Sequence, residues 1–61
     1  MTDMREVSVA EVAKAVSVVM GVSMTHDIAT VTQAIETGMV SPANHDWVQK
    51  VFTEIIRAQT L

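Results

Sequence analysis

Cysteine and tyrosine are absent from the 61 residues, and there are only two glycines, one proline, one tryptophan and one phenylalanine. Without cysteine there can be no disulfide staple and no thiolate-held zinc or iron–sulfur centre. With Gly21 and Gly38 as the only glycines, a glycine-rich phosphate loop cannot be built. The serines lack the G-x-S-x-G setting of a nucleophile elbow. Basic side chains are also scarce, 4 against 7 acidic ones, giving a net charge of −3. No segment is therefore a basic footprint for phosphates, and nucleic acid is a disfavoured partner. Nor is there a long apolar run. The stretch 15–24 is interrupted by Ser17, Gly21 and Ser23 and is half the ~20 residues a bilayer span needs. At the start, Asp3, Glu6 and Glu11 offset Arg5, the wrong flank for a secretion signal. A cytoplasmic protein with no membrane partner is expected.

What the chain does have is apolar content, 49% of positions. Its length allows one small domain, 1–61, with a short flexible N-terminal segment. Such a chain buries only about 60% of its unfolded surface, and a single core of this size rarely supplies more than ~3–5 kcal/mol. Self-association is the simplest supplement, since apolar area removed from water contributes about 25 cal/mol per Å². A homodimer is expected.

The patterning predicts an all-α fold of three helices, about 9–20, 25–37 and 42–58, arranged as a compact, homodimeric helical bundle. Ser8 followed by Glu11 is a capping-box start for the first helix. Val9, Val12, Ala13, Val16, Val19 and Met20 then fall on one face, and Ala15 and Val18 make this the most apolar, most buried element. Its many valines also favour strands, so a short strand over residues 4–9 is an alternative. Gly21 suits a left-handed cap, and Ser23 and Thr25 offer side-chain oxygens to start a second helix that ends at Gly38. The apolar stripe of that helix is Met24, Ile28, Val31 and Ile35. Ser41-Pro42 opens the third, with serine as cap and proline in the first turn.

The third helix carries the most informative pattern. Ala43, Trp47, Val48, Val51, Phe52, Ile55, Ile56 and Ala58 span far more than the ~100° a surface helix needs, leaving Asp46, Lys50, Glu54 and Arg57 on a narrow polar side. One part of this face is expected to pack on the other two helices. The rest, assigned to Trp47, Val48, Val51, Phe52, Ile55 and Ile56, is expected to meet a second copy or another protein.

Two repeated contexts, Thr25-His26-Asp27-Ile28 and Asn44-His45-Asp46-Trp47, suggest metal ligation at first sight. Adjacent helical residues diverge by ~100°, so neither pair converges on one ion alone, and no metal or cofactor is assigned. The helix dipole accounts for both aspartates. A chain this small is also expected to offer little of the ~300 Å³ a ligand pocket needs, which argues against an enzyme. Met20 and Met24 are expected to fill gaps where the first two helices meet; the sharper reading is a flexible methionine-lined surface for varied partners.

The stretch Gly21-Val22-Ser23-Met24-Thr25-His26-Asp27-Ile28, with Val31 and Ile35 after it, resembles the turn between the two helices of ribbon-helix-helix regulators. That resemblance implies DNA contacts from Arg5 and Ser8 on a strand and from Ser23 and Thr25 at the second helix. The same segment resembles a helix-turn-helix, in which a Gly-Val-Ser turn introduces the recognition helix. Here that helix would offer Gln33 and no Lys or Arg. The sequence points first to a non-catalytic protein–protein interaction module and second to a small DNA-binding regulator.

Overall fold

A computed structural model describes residues 6–59. Three α-helices follow one another: α1 (Val9–Met20), α2 (Thr25–Thr37) and α3 (His45–Gln59), the last preceded by a 3-10 turn, Pro42–Asn44. Among the described residues there is no strand. Of the alternative strand over 4–9, residues 4 and 5 lie outside the described residues. Val7 and Ser8 belong to no regular element, and Val9 already opens α1.

The helix ends follow local chemistry. Ser8 is extended, and its Oγ accepts from the Glu11 amide at 3.2 Å, which satisfies one of the donors left free at a helix start. The Glu11 carboxylate turns to α3, where Oε2 accepts from Gln59 Nε2 at 3.2 Å. Gly21 and Gly38 close α1 and α2 at φ 87° and 70°, donating to the carbonyls of Ser17 and Ala34. At α2 the expected polar cap is replaced by Met24, which has no side-chain bond to the helix, because the Ser23 hydroxyl donates instead to Ala13 O at 2.6 Å. Ser41 likewise makes no side-chain cap. Its Oγ accepts from Asn44 Nδ2 at 3.1 Å, and Asn44 Oδ1 accepts from Trp47 Nε1 at 3.0 Å. This side-chain relay goes with a tight first turn, so the α-helical part starts at His45 rather than at Pro42.

α1 packs against both α2 and α3. The core consists of Val12, Ala15 and Val16 from α1, Val31 and Ala34 from α2, and Val48, Val51 and Ile55 from α3. These are small, mostly β-branched side chains with few rotamers to lose on burial. Val7, Val19, Ile28, Ile35, Val40, Trp47 and Phe52 pack around them, half-buried. Against expectation, α1 turns Ala15 inward and leaves Val9 and Met20 exposed. Burial is shared evenly with α3, because a helix that is apolar nearly all round has no intrinsic preference for which stripe its neighbours cover. In α2, Thr30, Thr32 and Thr37 each return their hydroxyl to the carbonyl four residues earlier, so this threonine-rich helix satisfies its own polar groups.

Candidate interaction surface

The six α3 residues expected at an interface divide three ways. Val48, Val51 and Ile55 are buried in the chain's own core, Trp47 and Phe52 lie half-buried against it, and Ile56 is exposed at 53%. α1 packs on the middle of the broad apolar face, and of these six residues Ile56 alone is exposed. Trp47 is further tied down by its bond to Asn44.

The larger exposed apolar area is elsewhere, at the corner between α1 and α2. Val18, Met20, Val22 and Met24 are 59%, 43%, 55% and 56% exposed, and of residues 17–26 only Val19 is half-buried. Met20 and Met24 therefore do not fill gaps at this corner; they project from it. No Asp, Glu, Lys or Arg occurs between residues 15 and 26. Val18 and Met20 lie two residues apart on α1, about 200° around the helix, so they flank its exposed side, while Val22 and Met24 stand in the connecting loop. The sequence signal that could have drawn attention here is the charge-free stretch 15–26.

The residues of the DNA-contact alternative are dispersed. Arg5 lies outside the described residues, Ser8 caps α1, Ser23 is bonded to Ala13, and Thr25 is the first residue of α2. Along α2 the exposed residues include His26, Gln33, Glu36 and Thr37, with no cation.

The two His–Asp pairs stay apart in chemical terms. His45 Nδ1 lies 3.8 Å from Asp46 Oδ1 in an exposed contact, and among the described residues no three His, Asp or Glu side chains converge on a point that could hold a metal ion. Contrary to the expectation of little concave volume, α2 and the segment 39–44 enclose a partly open groove of about 580 Å³, lined by residues including Thr30, Gln33, Thr37, Met39 and Pro42. Its lining carries no charge. Thr30 and Thr37 are engaged with their own helix and Asn44 with Ser41 and Trp47, so few polar atoms remain to orient a ligand.

No single helix among the described residues is long and apolar enough to cross a membrane. The chain matches no family model, no curated protein and no solved structure.

Proposed function

We propose that the chain is a small, non-catalytic interaction module, an adaptor, inhibitor or chaperone-like regulator, that acts by laying exposed apolar side chains against a partner protein and that also self-associates. The observation that carries this reading is the group Val18, Met20, Val22 and Met24, large apolar side chains standing in solvent with no charged residue among them. Ile56 adds one further exposed apolar side chain on α3. A cytoplasmic setting belongs to the same proposal and is supported by the cysteine-free sequence. The test is capture by immobilised chain. A partner protein retained by the wild type and lost from the double variant Val22→Glu, Met24→Glu, at unchanged helix content, is the expected result. Equal retention by both would overturn the reading.

A specific feature favours a second reading. α1 and α2 are joined by four residues that include Gly21 and are bent by 117°, within the roughly 90–120° of helix-turn-helix pairs. As a DNA-binding regulator the chain would have to hold phosphates largely through uncharged groups. Saturable duplex binding that Thr25→Ala weakens would establish this role, and absence of binding at low salt would end it.

A further inference from the structure

We infer that α2 is a lid on α1: it opens and melts locally while α1 and α3 stay packed together, so that the apolar surface the chain exposes changes without the fold being lost.

The helices are held unequally. α1 packs against both neighbours, and among the described residues α2 makes no comparably close approach to α3. Of the eight core residues six come from α1 and α3, and α2 supplies Val31 and Ala34 alone. The pair of α1 and α3 is also closed by the bond from Gln59 Nε2 to Glu11 Oε2, which joins the last turn of one to the first turn of the other. The two sides of α1 are divided accordingly. Glu11 and Ala15 share a hollow with Ile55, Ala58 and Gln59, so α3 takes that side. Val16 lies about 100° round from Ala15, away from Glu11 and toward Ala13, to which the loop leading into α2 is bonded.

Local chemistry gives the second argument. α2 starts without a side-chain cap, at Met24, whereas Ser8 caps α1. Thr30, Thr32 and Thr37 return their hydroxyls to carbonyls four residues back, an arrangement that slightly weakens a helix. Both ends are set for release. Ser23 Oγ donates to Ala13 O, so the chain stays tied to α1 up to the residue before Met24. Beyond Thr37 stands Gly38, at φ 70° in open space, a residue free to take other backbone angles. The 13 residues of α2, once off α1, lose their helix, because isolated helices shorter than ~12–15 residues are marginal in water. Opening is therefore local melting. It brings Val16 and Val31, both 0% exposed, into solvent, where Val22 and Met24 already stand. How much apolar surface the chain offers is thus set by α2.

Native-state hydrogen exchange on the full chain, read by NMR over a series of urea concentrations below the unfolding transition, tests this. Without urea the amides of Val31, Ala34 and Ile35 are expected to exchange about tenfold faster, or more, than those of Val16, Val48 and Val51. Their rates should also depend less on urea, because the opening that frees them exposes less surface than global unfolding. Two variants identify the opening. Ser8→Ala removes a cap that survives in the opened form, so it should speed the α1 and α3 amides about fivefold and leave those of α2 unchanged. Met24→Ser adds the missing cap and should slow the α2 amides by a similar factor. If the α2 rates match those of α1 and α3 at every urea concentration, or rise with them in Ser8→Ala, α2 opens only when the whole chain unfolds and the inference is overturned. Rates in α2 that ignore Met24→Ser overturn it as well.

Discussion

Val51→Ala separates a core role for α3 from an interface role. Val51 is 0% exposed in a single chain, among the side chains of the core. Removing two methyl groups forfeits ~0.8 kcal/mol each in transfer free energy. The cavity they leave adds about 1 kcal/mol at ~24 cal/mol per Å³. Alanine returns up to ~0.6 kcal/mol because it is the better helix former. The net loss is about 2 kcal/mol, a large share of the ~3–5 kcal/mol that a domain this small holds. Urea unfolding followed by circular dichroism reads it directly: with a slope of ~1 kcal/mol per molar, the midpoint should fall by about 2 M. Because the cavity lies inside one chain, the fall should be the same at low and high protein concentration. Ile56→Ala, cut at an exposed site, should stay within ~0.5 kcal/mol of the wild type. A Val51→Ala midpoint that hardly moves, or moves only where the chain self-associates, would refute the placement of Val51 in the chain's own core.

Other perturbations probe the helix ends. Gly38→Ala should cost about 1–2 kcal/mol, all of it from the backbone, since φ is 70° and a Cβ there would meet nothing within 4 Å; a neutral effect in thermal melts would contradict the left-handed cap. Ser8→Ala should cost ~1 kcal/mol by removing the acceptor for the Glu11 amide, and Ser8→Asp should restore most of it, both measurable by urea titration. Asn44→Ala strips the half-buried Trp47 Nε1 of its acceptor, at about 1–3 kcal/mol, and tryptophan fluorescence should report the loosened 3-10 turn.

The helix boundaries were legible because local chemistry sets them. Ser8 before an apolar periodic run, and Gly21 and Gly38 after two of them, mark stops and starts whatever the rest of the chain does. Proline and serine marked the entry to the third helix, but not that Asn44 would spend its side chain between Ser41 and Trp47 and hold the first turn in 3-10 form. Facing was harder to read. Both α1 and α3 are apolar over more than one stripe, so which residues are covered depends on where the neighbour sits, and that is a tertiary fact. Hence Ala15 went inside in place of Val9 and Met20, and half of the expected α3 interface became core. The exposed corner was hidden for a related reason. Methionines beside a helix junction normally fill its gaps, and only the packed structure shows Met20 and Met24 pointing away from it.

Methyl-resolved NMR across a dilution series, from millimolar to low micromolar chain, tests the central claim most directly. Self-association through exposed apolar side chains predicts concentration-dependent shifts in the methyl groups of residues such as Met20, Val22, Met24 and Ile56, with those of Val51 and Ile55 unmoved. Shifts gathered on Val51 and Ile55, or none at any concentration, would contradict it.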